Sequence, residues 1–169
     1  PGTQFTYTTG GTHLLAAILQ QVVPGTLMEY ATEHLFAPMG MDSVRWREDP
    51  QGILDGGNGI EMTARDAAKF GQLFLDGGQW KGQQLVSSAW VEESTTAQEI
   101  RDGNGGSYGY QWWRRTFATG DYDTFFAMGA MGQFIFVTPS LNMVTVFTSN
   151  TSQFFPYPYF TDYVLEACM

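Results

Sequence analysis

The sequence feature that most constrains the fold is a glycine-broken segment that runs directly into two strand-like stretches. Residues 127–133 read AMGAMGQ, in which small residues separate two methionines and allow the backbone to approach a ligand closely. The stretches 134–138 and 143–149 are rich in β-branched and aromatic residues, and a short Pro-containing turn separates them. The pattern predicts a β-hairpin with a glycine-rich leading edge, a place suited to backbone N–H donors for an oxyanion.

The composition indicates a packed domain and excludes two classes of partner. Of the 169 residues, 43% are hydrophobic and 15% aromatic, enough for a sizeable core. The net charge is −9, and Lys69 and Lys81 are the only lysines. Nucleic acid and anionic membrane surfaces both require a basic footprint, so neither is expected as a partner.

Cysteine and histidine give no sign of a metal centre. Cys168 is the single cysteine, so an intrachain disulfide and a thiolate cluster are both excluded. His13 and His34 have no second ligand at helical spacing, which favours structural or solvated histidines. We therefore predict neither a metal nor a cofactor. No apolar run reaches the roughly 20 residues that span a bilayer.

The first hundred residues carry mostly helix signals. Thr12 is predicted to cap a helix that ends at Pro24–Gly25, and Thr26–Glu29 is a capping box that opens a second helix to about Phe36. A further capping box, Thr63–Asp66, opens a helix that buries Ala67, Phe70, Leu73 and Phe74, and Ser87 or Ser88 caps a short one after a tight turn at 79–84. The glycines at 56–59 lack the preceding strand and following Lys-Ser/Thr of a phosphate loop.

The last seventy residues carry strand signals and a closing helix. After an exposed loop or flap at 100–107, residues 108–115 form an aromatic, strand-like stretch, and residues 119–121 form a turn; one or two strands are expected before the hairpin. Residues 163–165 suggest a closing helix. We predict one partial α/β (α+β) domain over 1–169, helical over about 1–99, with a sheet and closing helix over about 100–169.

Five segments, taken in order, resemble the serine beta-lactamase-related hydrolases, a group that includes class C beta-lactamases, DD-peptidases, esterases and 6-aminohexanoate-oligomer hydrolases. They are FTYTTGG at 5–11, FAPMGM at 36–41, TARDAAKFG at 63–71, YGYQWW at 108–113, and Gly132–Gln133 with VTP at 137–139. The resemblance implies a beta-lactamase/transpeptidase-like fold, in which an antiparallel sheet backed by helices adjoins a helical cluster. It also implies three active-site elements: Ser-x-x-Lys, Tyr-x-Asn, and Lys-Thr-Gly or His-x-Gly.

The resemblance assigns roles to two catalytic groups. Tyr7 matches the tyrosine of the second element and is expected to transfer a proton between nucleophile and leaving group. Ala127-Met128-Gly129 matches the third element, after which the backbone N–H of Ala130 is expected to donate to the oxyanion. Candidate substrate-binding residues are Thr9, Gly129, Met131, Gly132, Gln133, Tyr110 and Trp112.

Several of these residues have a plainer interpretation. Without the resemblance, Tyr7 is a surface or packing tyrosine. The methionines at 128 and 131 fit a gap-filling role in a core. An aromatic strand face such as the one that holds Tyr110, Trp112 and Trp113 is common in cores.

Departures from the family pattern place limits on the function. Thr9 stands where the family has Asn, and Ala127 stands where it has the cation that recognises a beta-lactam carboxylate. The positions three residues before the two lysines hold Asp66 and Gly78, so the chain contains no Ser-x-x-Lys. We therefore expect the nucleophile upstream of Pro1 and an inactive fragment without it.

The expected function is that of the C-terminal portion of a serine hydrolase that cleaves a small ester or amide through an acyl-enzyme. The alternative is a non-catalytic binding or scaffold domain that kept the fold. We expect a partner in the form of the missing N-terminal segment or a second chain that completes the domain. The resemblance favours a periplasmic or secreted location and leaves the cytoplasm open.

Overall fold

Two compact units make up the chain. The computed structural model describes residues 5–100, 106–117 and 122–168. The first unit is Pro1–Asp66 and the second is Ala67–Met169. The sequence predicts a change from helices to sheet at about residue 100, and the first strand of the main sheet is Glu99–Ile100.

The first unit is built on two helices and one small strand pair. Helix α1 spans Thr9–Val22, and α2 spans Leu27–Ala31 and continues as a π-helical turn over Thr32–Phe36. Strands β1 (Arg45–Trp46) and β2 (Ile60–Glu61) pair antiparallel. The buried residues Ala16, Leu27 and Leu54 form one core cluster, with Val23, Met28 and Trp46 packed against it.

Helix α1 begins earlier than the sequence predicts. Thr8, with an extended backbone, is the N-cap residue, whereas Thr12 was predicted to cap the helix and lies inside it. Gly10 and Gly11 therefore fall in the first turn, although glycine is among the poorest helix-forming residues. Local propensity favours the later start, so contacts from elsewhere in the unit must hold this turn.

The predicted capping box at α2 is confirmed, and at residues 63–66 the bond from the N3 backbone N–H to the threonine hydroxyl is present. At α2, the Glu29 N–H donates to Thr26 Oγ1 at 3.1 Å, and the Thr26 N–H donates to Glu29 Oε2 at 2.9 Å. That backbone hydrogen bond lowers the pKa of the Glu29 carboxyl. At residues 63–66, the Asp66 N–H donates to Thr63 Oγ1 at 3.1 Å, and the Thr63 hydroxyl donates to Asp66 Oδ2 at 2.7 Å.

The second unit contains most of the remaining elements around a six-stranded antiparallel sheet. Helix α3 starts at the end of the first unit and spans Ala64–Leu75; α4 spans Ser88–Thr95 with Ser87 as its cap. The strands are β3 Gln79–Trp80, β4 Gln83–Gln84, β5 Glu99–Ile100, β6 Gly106–Tyr108, β7 Trp113–Phe117, β8 Tyr122–Gly129, β9 Gln133–Thr138 and β10 Met143–Phe147. Strands β3 and β4 form the predicted tight turn, and the large sheet has the order β10-β9-β8-β7-β6-β5.

Each face of the large sheet has its own core cluster. On one face Phe126, Phe134 and Phe136 pack with the closing helix, which is α5 (Tyr157–Tyr159) continued by a π-helical turn (Phe160–Leu165) and a 3-10 turn (Glu166–Cys168). The other face carries a second buried cluster, made of Phe74, Val91, Trp112, Phe125 and Val137. The predicted hairpin of β9 and β10 and the closing helix are both confirmed.

The strand-like stretch predicted over 108–115 is interrupted in its middle. Strands β6 and β7 are separate, and Gln111 between them has a φ of 69°, in the left-handed region. The Tyr110 N–H donates to Ser94 O at 2.8 Å, which turns the chain away from the sheet. The predicted turn at 119–121 and residues 101–105 of the predicted flap lie outside the described residues.

Candidate active site

Strand β8 extends beyond its neighbour at the predicted third element. Its register with β7 ends at the pair Trp113–Phe126, whereas its register with β9 continues to Gly129–Gln133. The backbone of Ala127, Met128 and Gly129 therefore lies outside the β7 ladder on one side. A strand edge of this kind presents N–H and C=O groups to an added peptide or amide.

The β8–β9 turn has a backbone that few sequences adopt. Residues Ala130, Met131 and Gly132 connect the paired Gly129 and Gln133, and the φ values of Met131 and Gly132 are 64° and 89°. A left-handed methionine is uncommon, and such outliers cluster at functional sites. The Met131 side chain is 43% exposed, whereas Met128 packs against the core cluster as a gap-filling methionine would.

The segment after β10 fixes this turn in place. The Gln133 side-chain amide donates to the Ser149 carbonyl. A Cβ atom at Gly132 would lie 2.9 Å from both Phe154 Cδ1 and Ser149 Cβ. Only glycine fits this left-handed, closely packed position, so the turn next to Ala130 is held rather than free.

Of the two aromatic candidates in the second unit, one is exposed and one is buried. Tyr110 is exposed and stacks on Trp90, with ring centroids 5.7 Å apart. Trp112 is 4% exposed and packs edge-on against Phe125, so its ring belongs to the core. Tyr110 therefore keeps a surface that a substrate can contact, and Trp112 keeps almost none.

Tyr7 and Thr9 belong to the first unit. Tyr7 is 51% exposed and precedes the N-cap residue Thr8, and Thr9 is the first residue of α1. The Tyr7 phenol therefore lies on the short segment that leads into α1. Its position depends on how the first turn of α1 is held.

A loop over residues 49–59 packs against α1. Asp49 Oδ1 accepts from the N–H groups of Gln51 and Ile53 at 2.8 and 2.9 Å. Asp55 Oδ1 accepts from Gly57 and Asn58 at 3.0 and 3.1 Å. Asp49 and Asp55 thus stabilise the loop by accepting hydrogen bonds from its own backbone.

The 49–59 loop is also bonded to its surroundings in the first unit. His13 Nε2 lies 3.0 Å from Asp49 Oδ2; because a carboxylate only accepts, this nitrogen carries the proton. His13 Nδ1 lies 3.9 Å from Asp55 Oδ1 and is buried without a hydrogen bond among the described residues. The Trp46 indole N–H donates to the Asp55 carbonyl at 2.9 Å.

The pKa of Asp49 reflects these bonds. The backbone N–H of Ile53 lowers it most, and the hydrogen bond from His13 lowers it further against the opposing effect of desolvation. A carboxyl whose pKa is lowered by folding stabilises the fold above its unfolded pKa, and loses that contribution as the pH falls through the lowered value. The 49–59 loop is therefore held best with Asp49 ionised.

The sequence singled out Tyr7 and the 127–133 segment but did not single out the 49–59 loop or His13. His13 was interpreted as structural or solvated because it lacks a partner at helical spacing. Its partners are 36 and 42 residues away in sequence, a separation that local patterns cannot detect.

Among the described residues, no group of three or more His, Cys, Asp or Glu side chains is arranged to hold a metal ion. No helix in the described parts of the chain is both long enough and apolar enough to cross a membrane. Helix α1 has 14 residues, against the roughly 20 that a bilayer requires.

Known proteins are similar to this chain in sequence and in fold over most of its length. The 6-aminohexanoate-dimer hydrolase of Paenarthrobacter ureafaciens is 29% identical over 153 residues, which cover 85% of this chain and 38% of the relative. A solved Bacillus anthracis structure, provisionally described as a 6-aminohexanoate-dimer hydrolase, is 28% identical with a TM-score of 0.83, covering 99% of this chain and 44% of that one. The octameric penicillin-binding protein homologue of Pyrococcus abyssi shares the fold, with a TM-score of 0.76 at 20% identity over 99% of this chain and 43% of its own.

These comparisons confirm the predicted fold and the resemblance. The chain spans less than half the length of each of these three relatives. An antiparallel sheet with helices on it is the beta-lactamase/transpeptidase-like arrangement that the five sequence segments imply. The beta-lactamase family model matches residues 1–168, and the chain therefore belongs to the beta-lactamase family.

Proposed function

We propose that this chain is the tyrosine-bearing portion of a serine hydrolase that cleaves an ester or amide through an acyl-enzyme, with its nucleophile in a Ser-x-x-Lys upstream of Pro1. The observation that carries the proposal is the β8 segment Ala127–Gly129, which extends beyond β7 and leads into a constrained glycine turn. The resemblance in sequence matches this segment to the family's third active-site element. Such an edge suits an acyl group bound in extended form.

The proposed reaction assigns two steps to this chain. The serine hydroxyl attacks the substrate carbonyl, and Tyr7 moves the released proton to the leaving group as the carbon–oxygen or carbon–nitrogen bond breaks. The Ala130 N–H donates to the tetrahedral oxyanion. Water then attacks the acyl-enzyme and regenerates the serine. Neither step requires a metal or cofactor.

The substrate contacts proposed for this chain are Thr9, Gly129, Met131, Gly132, Gln133 and Tyr110. Ala127 offers no cation to a carboxylate, so we propose an ester or amide without the carboxylate of a penicillin. The P. ureafaciens and B. anthracis relatives carry the name of a hydrolase for an amide-linked dimer, which supports a linear amide as the first substrate to test.

A non-catalytic binding domain is the second candidate. Thr9 and Ala127 favour it, because both replace polar groups with which the family holds its substrates. The fold and the open edge of β8 suit a binding domain equally well. The two candidates differ in whether a reactive serine is present.

A fluorophosphonate probe tests the choice. In the longer protein that includes the residues encoded upstream of Pro1, we expect covalent labelling at a serine of Ser-x-x-Lys and turnover of a chromogenic short-chain ester. The 169-residue chain alone should show neither. Absence of both signals in the longer protein, or of Ser-x-x-Lys from its upstream sequence, would favour the binding domain.

We further propose that a segment outside this chain covers one face of α1. The face toward the 49–59 loop carries His13, Ala16 and Gln20, whose carboxamide donates to the Gly52 carbonyl at 3.0 Å. The opposite face is apolar, and all its members are 47–70% exposed: Leu14, Leu15, Ile18, Leu19 and Val22. In a complete domain, a helix normally buries its apolar face and exposes its polar face, whereas α1 exposes its apolar face.

The edge of the large sheet supports the same proposal. Strand β10 is at one end of the strand order and pairs with β9 alone among the described strands. Long edge strands are usually covered or paired in a complete domain. A segment that adds a strand here and a helix at α1 would remove both exposed surfaces.

Light scattering checks this proposal. We expect the isolated chain to associate into dimers or larger species, because the α1 face lacks its cover. Ile18→Glu, at the centre of that face, should shift the chain toward monomer. Tyr163→Glu, at an exposed tyrosine of the closing helix, is the matched control and should not. A wild-type chain that stays monomeric at all concentrations contradicts the proposal.

A further inference from the structure

We propose that the 49–59 loop is a clamp on the first turn of α1, with His13 and Gly57 as positioning residues for Tyr7 and Thr9. The catalytic meaning of this clamp rests on the proposed function, whereas its effect on the position of Tyr7 does not. All the contacts involved lie within the first unit.

The first turn of α1 is weak by its own chemistry. The Thr8 side chain makes no capping hydrogen bond, and the turn contains no acidic residue. An N-cap bond and a carboxylate near the helix start are the usual local stabilisers of a helix N-terminus. With Gly10 and Gly11 in the same turn, the helix has little local reason to begin at Thr9.

The glycines of the 49–59 loop lie against this turn at very short range. A Cβ atom at Gly57 would be 2.3 Å from Thr9 Cγ2 and 3.0 Å from Thr9 O. One at Gly56 would be 2.8 Å from both Thr12 O and Ala16 Cβ. Any side chain at either position must push the loop and the helix apart, so the close approach requires glycine.

Polar bonds hold the loop at this distance. His13 bonds to Asp49 at one end of the loop. Two helical turns further on, on the same face of α1, the Gln20 side chain donates to Gly52 O at 3.0 Å and accepts from the Leu54 N–H at 3.4 Å. Because Asp49 and Asp55 also fix the loop internally, its glycines meet α1 as a preformed surface rather than as a mobile strand.

The consequence reaches the phenol through the backbone. Thr9 is the residue that Gly57 touches, and Tyr7 is two residues before it. A shift of the first turn therefore moves the Tyr7 hydroxyl relative to any proton it exchanges. Misplacement of a proton-transfer group lowers kcat more than it raises KM.

Fluorine NMR of the 169-residue chain labelled with 3-fluorotyrosine tests the clamp without any catalysis. Of the eight tyrosine resonances, that of Tyr7 is identified by its loss in Tyr7→Phe. His13→Leu and Gly57→Val should each shift or broaden it. His13→Gln keeps an N–H donor and should retain the wild-type position. His34→Leu, at the other histidine of the unit, is the matched control and should leave the resonance in place.

An unmoved Tyr7 resonance in folded His13→Leu and Gly57→Val overturns the clamp. Should Gly57→Val unfold the unit, Gly57→Ala tests the same contact with a single methyl group.

In the longer protein, His13→Leu should lower kcat about tenfold with KM within about twofold, and His13→Gln should restore kcat. Equal losses in both His13 variants would also overturn the proposal. A longer protein without activity refutes the proposed function and leaves the NMR test intact.

Discussion

Tyr7→Phe in the proposed longer, nucleophile-bearing protein is expected to lower kcat for a short-chain ester by roughly 10²-fold or more, because the variant would lose the hydroxyl that we propose carries the proton. KM should change little, since the ring remains. Tyr7 is half exposed and precedes α1, so the substitution should not disturb the core. Steady-state kinetics with the ester measure the effect.

Tyr30→Phe is the matched control for this variant. Tyr30 lies in the same unit, on α2, and is also exposed. Its phenol has no role in the proposed chemistry, so the variant should retain wild-type kcat. Equal activity of Tyr7→Phe and Tyr30→Phe would remove Tyr7 from the mechanism and return it to the surface tyrosine that its loop alone suggests.

Phe136→Ala should lower the free energy of unfolding by about 3–5 kcal/mol. The side chain is fully buried on β9 and stacks on Phe160 of the closing helix, with ring centroids 4.2 Å apart. The truncation leaves a cavity between sheet and helix that the paired strands on both sides cannot close. Urea denaturation followed by circular dichroism measures the change.

Phe155→Ala provides the comparison for the core variant. Its ring is 56% exposed and contacts Phe134 and Tyr157 at the edge of the same cluster. The loss should be less than about 1 kcal/mol. If the two variants lose similar stability, the closing helix does not depend on Phe136 for its packing.

Elements specified by neighbours in sequence were predictable. The capping boxes at Thr26 and Thr63 join residues three apart, and the turns at 79–84 and 139–142 use glycine, proline or asparagine at positions with a defined backbone. The glycines at 129 and 132 predict a backbone that a ligand can approach closely, whereas the extension of β8 beyond β7 was not predicted. A sequence pattern does not show where the pairing of β7 with β8 ends, and that end point is what leaves residues 127–129 of β8 outside the β7 ladder.

Elements specified by distant contacts were missed. Helix α1 starts at Thr9 although Gly10 and Gly11 favour a later start, because Gly56 and Gly57 pack on that turn from more than 40 residues away. The strand predicted over 108–115 is broken at Gln111, where the Tyr110 bond to Ser94 and the Arg114 bond to Thr95 O redirect the chain. In both places long-range contacts override local propensity.

The fluorescence of Trp46 can serve as a probe of the first unit alone. Trp46 is the only tryptophan within Pro1–Asp66, and its N–H donates to the carbonyl of Asp55. The other four tryptophans, at positions 80, 90, 112 and 113, all belong to the second unit. A variant with those four replaced by Phe would leave a single emitter attached to the 49–59 loop. The environment of that loop then becomes a spectroscopic signal, separate from the unfolding of the large sheet.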